Sequence, residues 1–449
     1  MNSVERKAVS TLALIYALRM FGLFMVLPVL ALYAEDYQGA TGFLLGMAMG
    51  AYGLTQAIFQ IPFGIFSDRL GRKPVLIAGL LIFAAGSVLA AVSDNIWGLI
   101  AGRALQGAGA IASTLMALLT DLTREESRTK AMASVGASIG LSFSVAMVVG
   151  PAIGGYMGLT GLFILTGTLS CLAVLLVMFV VPTPVRQNRA AESGAFWKHM
   201  GGILRDTQLL RLSAGIFILH TVMVACFVVV PKALVNDGLP KSEHWHIYLP
   251  IMLIAFIIMV PFIIVAEKRQ RMKEVMFIAV SLLLAAISIL GVSHGLYGLI
   301  LGLGVFFIAF NILEASLPSL VSKFAPAGYK GAAMGFYSTC QFSGAFVGGA
   351  LGGITAQHLG ADKVFWVVLP LVVLWLVLVA TMARPKHLTS YMLEVKVDNT
   401  AQSEQLVGKL MAVAGVCEAV VMQEVQTAYL KVDPKVFDPK NLNLIESGI

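Results

Sequence analysis

The chain has 449 residues, of which 58% are hydrophobic and only 12% charged, and its mean hydropathy is +0.86. Soluble domains carry about 25% charged residues, so the composition excludes an ordinary soluble globule and an unfolded polar chain. The net charge of +7 would suit a nucleic-acid binder, but the placement of the cations excludes that reading.

Taken in order, apolar runs of the length that crosses a bilayer predict spans at about 10–33, 43–66, 75–93, 97–120, 131–156 and 160–181, then 210–231, 247–266, 275–293, 296–321, 331–356 and 364–383. The first run, 11–33, is too long for the core of a cleavable signal peptide. Segment 182–208, with Pro182, Pro184, Arg186, Arg189 and Lys198, divides the spans six and six. Two stretches 199 positions apart repeat a pattern: Ile61-Pro62-Phe63 leads to Asp68-Arg69 and Arg72-Lys73, and Val260-Pro261-Phe262 leads to Glu267-Lys268-Arg269 and Arg271. Repeated hydrophobic halves are the mark of a transporter built from two related bundles with its site between them.

Lys and Arg at the span ends divide 21 against 3: one side carries clusters such as Arg69, Arg72 and Lys73, the other only Lys232, Lys241 and Lys363. The rich side reads as cytoplasmic, which puts both termini inside. The basic balance is then topological, and nucleic acid is not expected as a partner; membrane lipid is. Cys171, Cys226, Cys340 and Cys417 form no CxxC pair, so neither metal binding nor a disulfide framework is supported.

After Pro385 the pattern changes. Tyr391, Leu393, Val395 and Val397 alternate with polar or flexible residues as in a half-buried strand; 400–413 reads as a helix stopped by Gly415; 416–422 and 427–432 read as strands; Asp438-Pro439 opens a last short helix. The expected fold is therefore an all-α membrane protein of twelve transmembrane helices in two six-helix halves, followed by a small α+β ferredoxin-like βαββα domain. The boundaries are 1–182 for the first half, 183–209 for a cytoplasmic linker, 210–387 for the second half and 388–449 for the cytoplasmic tail domain.

The strongest local signal is Gly64-x-x-x-Asp68-Arg69-x-Gly71-Arg72-Lys73. Gly64 allows close helix approach, Asp68 suits the positive end of a neighbouring helix, and Arg72 can pair with Asp121 at the end of span 4. The plainer alternative is a basic turn that only sets orientation. The run resembles motif A of the major facilitator superfamily. Arg103-x-x-Gln106-Gly107 is similar to its motif B. Gly150-Pro151-x-x-Gly154-Gly155 is similar to motif C, the mark of drug–proton antiporters, with Ala146 where the fuller form has another glycine. Weaker counterparts in the second half are Glu267-Lys268-Arg269-x-Arg271 and Gly348-Gly349-x-x-Gly352-Gly353. The resemblance implies alternating access, with Asp68 capping the start of span 11 near 334–337 and Arg72 with Asp121 relaying charge to that contact.

Four ionisable residues lie within spans, where they are costly and usually face a cavity or a partner: Arg19, Arg103, His220 and Glu314. Glu314 is a candidate proton carrier, since burial disfavours its charged form. His220 can titrate near neutrality, and Arg19 can serve as counter-charge or grip an anionic ligand. A fixed ion pair or hydrogen bond is the alternative for each. The superfamily arrangement implies that Tyr52, Gln56, Phe59, Asn311, Tyr337, Ser338 and Gln341 face a central cavity suited to a small amphipathic substrate; helix packing is the alternative. Gly136, Gly140, Gly344 and Gly348 read as close packing. The tail resembles heavy-metal-associated domains in element order, but Asp398-Asn399-Thr400-Ala401 stands where those carry cysteines, leaving a regulatory ligand or partner site, or a passive tether.

Together these readings predict a proton-coupled exporter of a small amphipathic molecule in a bacterial inner membrane, with no cofactor and no enzymatic site. The rivals are a proton-linked nutrient uptake symporter and a sensor signalling through its tail.

Overall fold

The computed structural model describes residues 1–183, 201–327, 329–385, 388–397, 399–423 and 426–438. Most of the chain is helix: α1 Ser3–Tyr33, α2 Gly42–Leu70, α3 Arg72–Val92, α4 Ile96–Ala108, α5 Ala112–Asp121, α6 Glu125–Phe179, α7 Thr207–Asn236, α8 His244–Lys268, α9 Met272–Val292, α10 Leu296–Phe324, α11 Lys330–His358 and α12 Lys363–Ala380. Among the described residues, nine helices are long and apolar enough to cross a membrane. In lipid a helix satisfies its own backbone, which is why apolar runs of this length take that form. The ends are set by polar caps. Asn2 and Glu5 form a capping box for α1, Thr41 caps α2, Asn95 caps α4 and Asp206 caps α7.

Two boundaries differ from the sequence expectation. The run 97–120, read as one span, is broken at Gly109 into α4 and α5. The spans read as 131–156 and 160–181 run together as α6, interrupted by Gly158 at φ 61°, ψ −164°, a conformation that glycine adopts without strain. The predicted linker falls largely in 184–200 and the predicted last helix at 439–449, both outside the described residues.

Helix α11 lies between α2 and α7, and its glycines serve both neighbours. A Cβ on Gly344 would sit 2.2 Å from the Phe217 carbonyl oxygen, one on Gly348 2.3 Å from that of Thr221, and one on Gly349 2.3 Å from that of Gly46. Small residues let the backbones meet, the usual means of helix association in lipid. The α2–α11 contact runs from Gly42 beside Gly353 to Gly53 beside Phe342. Beyond it the helices part: Gly64 faces Ser113 of α5, and nothing lies within 4 Å of a Cβ on Gly331. The pair is closed at the end carrying Glu35 and apart at the end carrying motif A. Gly136 and Gly140 correct the packing expectation, since a Cβ at either meets nothing within 4 Å; a small residue permits an approach but does not supply a neighbour.

The tail forms a three-stranded antiparallel sheet in the order β1-β3-β2, with β1 Thr389–Glu394, β2 Val416–Met422 and β3 Thr427–Val432, and α13 Thr400–Met411 packed on it. Leu393 pairs with Ala428 and Tyr391 with Leu430. The alternation read from sequence puts Leu393, Val395, Val397, Ala428, Leu430 and Val432 in one core with Leu406 and Leu410 of α13.

Candidate functional site

The motif A end is built around Arg72. Gly71, at φ 100°, stops α2 and lets α3 begin at once, which turns Arg72 back over Ser67 and Asp68. Its Nη1 donates to Ser67 Oγ at 2.7 Å and to Asp68, and its Nε donates to Asp121 Oδ2 at 3.0 Å. Arg72 and Asp68 are both buried. Asp68 therefore bonds Arg72 rather than the start of α11, which stands away from α2 here. Arg69 is exposed, and Lys73 reaches Thr183. The second-half counterpart, Glu267, accepts from Lys323 at 2.8 Å and Ser319 at 2.9 Å, both on α10.

Deeper in α1–α6 lies a chain of polar groups. Arg19 donates through Nη2 to Gln56 Oε1 at 2.6 Å and to the Gly109 carbonyl at 3.0 Å. That carbonyl, at the break between α4 and α5, also accepts from the Ile111 N–H at 2.9 Å. Tyr52 donates to Gln56 at 3.2 Å, and Arg103 lies over the Tyr52 ring, 5.2 Å from its centroid. Arg103 also donates to Gln106 Oε1 at 2.8 Å, and Gln106 to Ser87 Oγ at 2.8 Å. Gly107 makes room for the Tyr52 backbone. Arg19 is thus held by an amide and a carbonyl, not paired with Glu314 as the counter-charge reading had it; its Nε and Nη1 are buried without a partner.

The second polar cluster joins α7, α10 and α11. Gln341 Nε2 lies 3.0 Å from both Glu314 Oε1 and His220 Nε2. An amide –NH₂ only donates, so with this orientation both contacts must accept. His220 then carries its proton on Nδ1, 3.3 Å from the Ile216 carbonyl, and is neutral. Glu314 Oε2 stands 3.9 Å from His220 Nε2 and is buried without a hydrogen-bond partner, as are Asn311 Nδ2 and Tyr337 OH. A carboxylate with one oxygen committed and one free can take up a proton or a cation without dismantling its support.

Of the expected cavity residues, Asn311, Tyr337 and Gln341 gather at this cluster or beside it, Tyr52 and Gln56 belong to the Arg19 chain, Phe59 is exposed on α2 and Ser338 is half-buried. The sequence reading missed an aromatic cluster one turn from Glu314. Phe310 stacks on Phe143 of α6 at 5.2 Å, and Phe143 meets Phe24 at 4.9 Å. Single phenylalanines in apolar helices carry no signal that would have singled these out.

Motif C lines a helix crossing. A Cβ on Gly150 would lie 2.4 Å from the Met25 carbonyl oxygen and one on Gly154 2.7 Å from Val29, both on α1, while one on Gly155 would lie 3.1 Å from Ser242 of the other half. Pro151 sits within α6 between them.

The sequence profile described as Major Facilitator Superfamily matches residues 12–349 and again 252–391. The chain belongs to the Major Facilitator Superfamily. It is 46% identical over 437 residues to the inner membrane transport protein YajR of Escherichia coli (strain K12), covering 97% of this chain and 96% of the relative. It is 25% identical over 383 residues to the multidrug resistance protein MdtH of Aeromonas salmonicida (strain A449), covering 83% and 92%. Among solved structures, a bacterial homolog of the human lysosomal transporter Spinster, in an inward-facing and occupied conformation, superposes with TM-score 0.67 at 13% identity over 85% of this chain and 97% of that one. A D-xylose-proton symporter superposes with TM-score 0.67 at 14% identity, covering 84% and 98%. At such identity these two share the fold and no more. Family and relatives alike are transporters and not enzymes.

Proposed function

We propose that this superfamily transporter is a proton-coupled antiporter that exports a small amphipathic molecule by alternating access. The observation that carries the reading is the Glu314–Gln341–His220 cluster: a mid-helix carboxylate with one free oxygen beside a neutral imidazole. Protonation of Glu314 cancels a charge that is costly at membrane depth, and a cationic or hydrogen-bonding substrate competes with the proton for the same oxygen. Competition of that kind is the elementary requirement for exchange. Motif C and the likeness to MdtH support export over uptake.

The topology proposed with it has twelve spans in two halves. Helices α4 and α5 form one interrupted span, the two limbs of α6 form two, and the glycine-rich α11 is a span shielded from lipid by α2 and α7. The cation bias supports cytoplasmic termini; a periplasmically active reporter fused to the C-terminus should stay silent. The tail then lies against the cytoplasmic ends of α10 and α11. Buried Lys431 donates to the Lys323 carbonyl at 3.0 Å, and Glu418 accepts from the Ala327 N–H at 3.3 Å. Those contacts favour a tail that senses or biases the cycle over a passive tether.

The test is transport by reconstituted protein in proteoliposomes with an imposed pH gradient, screening amphipathic cations and neutral compounds while an internal dye reports protons. Substrate-dependent proton movement opposite to substrate flux is expected. Flux with no proton movement, or with protons moving alongside substrate, refutes antiport.

A further inference from the structure

The end of the molecule where α2 and α11 are closed carries few cations, and two of them reach across to the opposite helix group. Lys232 of α7 pairs with Glu35, just past α1. Lys241, in the turn before α8, donates to the Leu32 carbonyl at 2.7 Å and lies over the Tyr33 ring, 4.7 Å from its centroid. Both targets belong to the last turn of α1 and the segment after it. The Lys241 turn is seated against motif C: a Cβ on Gly155 would lie 3.1 Å from Ser242, a tight approach that glycine leaves open. A third cross-link closes α2 on α11, where the Phe43 N–H donates to Gln357 Oε1 at 2.8 Å.

We propose that Lys232 and Lys241 are positioning residues of the transport cycle: they latch this end shut across the boundary between α1–α6 and α7–α12, and must release for it to open. The contacts join groups 197 and 209 positions apart and hold no bundle together internally. They contrast with Lys363, the third cation at this end, which pairs with its own neighbour Asp362 at 3.0 Å and spans nothing. Lysines here run against the charge bias of membrane topology, and a contact needed in one half of the cycle gives a reason for them. The Lys232–Glu35 pair is about half exposed, so screening by salt weakens it. The Lys241 contacts are half-buried and aimed at a carbonyl and a ring, and salt affects them less.

The proposal rests on the alternating-access reading, and the experiment separates the two. Spin labels at Asp94→Cys and Leu359→Cys, in full-length protein with Cys171, Cys340 and Cys417 replaced by serine, report the distance across this end in lipid. Two distance populations are expected in the unsubstituted protein. Lys232→Met and Lys241→Met should each raise the long-distance fraction, by about two- to fivefold in population ratio for an exposed pair, and Glu35→Lys should raise it further. The exchange Glu35→Lys with Lys232→Glu should restore the original ratio, which a merely structural role would not do, and Lys363→Met should leave it unchanged. Two populations whose ratio ignores the Lys232 and Lys241 substitutions overturn the latch alone. A single distance in every variant overturns the latch together with alternating access.

Discussion

Replacing Arg72 tests how the motif A end is held. The guanidinium is 3% exposed and serves Asp68, itself 6% exposed, together with Ser67 and Asp121. Arg72→Ala leaves a carboxylate in a place with little water. Breaking a buried pair from one side costs about 3–5 kcal/mol, and the open side of Asp121, whose side chain is 10% exposed, puts the expected loss at the lower end, about 3 kcal/mol. The double variant Arg72→Ala with Asp68→Asn removes the stranded charge as well as its partner and should regain about half of that loss, since an uncharged amide costs less to bury. Arg72→Lys should be intermediate, because one ammonium cannot reproduce two differently directed N–H groups. The assay is thermal unfolding of the purified protein in detergent, read by loss of the monodisperse peak on size-exclusion. If the losses of Arg72→Ala and Asp68→Asn simply add, the two residues do not share a network and the account of this end is wrong.

Two further predictions use the same assay or a close relative of it. Gly349→Ala drives a methyl to 2.3 Å from the Gly46 carbonyl oxygen, whereas Gly136→Ala meets nothing within 4 Å; the first should cost about 1–3 kcal/mol by overpacking and the second should be neutral or slightly stabilising, an order that equal losses would contradict. Lys431→Ala with Glu418→Ala removes the tail's hold on the α10–α11 turn, so amide exchange at Ala327 should speed up at least severalfold, and unchanged protection would show that the tail does not fix that turn.

The parts legible in the sequence are those where chemistry is local or repeated. Asp68, Arg72 and Asp121 stand out because a carboxylate and cations fall at fixed spacing around Gly64 and Gly71 at a span end, with a second carboxylate at the end of span 4, and the tail strands because Tyr391 and Leu393, and Ala428, Leu430 and Val432, alternate. The parts that were hidden depend on distant neighbours. The break at Gly109 sits inside a run that reads as one span, and the carbonyl there gains a second donor in Arg19, 90 positions away. Gly136 and Gly344 look alike in the chain, yet one faces open space and the other the α7 backbone. Glu35 and Lys232 are unremarkable surface charges until two helix ends bring them together. Asp68 shows a different limit: motif resemblance names its partner in one state of the cycle, while the structure holds it against Arg72 in another arrangement of the same helices.

The proton assignment turns on which groups at the second cluster can change charge without losing their supports. Glu314→Gln preserves an acceptor for Gln341, 3.0 Å away, and replaces the free oxygen with an amide nitrogen that donates but cannot ionise. Because Oε2 has no hydrogen-bond partner, the substitution strands no existing donor, and its effect on folding should be small, within about 1 kcal/mol. Its effect on coupling should be complete. A one-proton exchanger working across one pH unit has about 1.4 kcal/mol to spend, enough for about a tenfold substrate gradient, and an exchanger that cannot bind the proton equilibrates substrate to no gradient at all. Proteoliposomes carrying Glu314→Gln should therefore still exchange labelled for unlabelled substrate while failing to accumulate it. His220→Asn is the companion: it keeps a hydrogen-bonding group facing Gln341 and removes the imidazole, so it should shift the pH profile and leave some accumulation. If Glu314→Gln accumulates substrate with the pH profile of the unsubstituted protein, Glu314 is a structural carboxylate. The coupling role then moves to the Asp68–Arg72–Asp121 set at the motif A end, where a buried carboxylate is held by one guanidinium, or to His220.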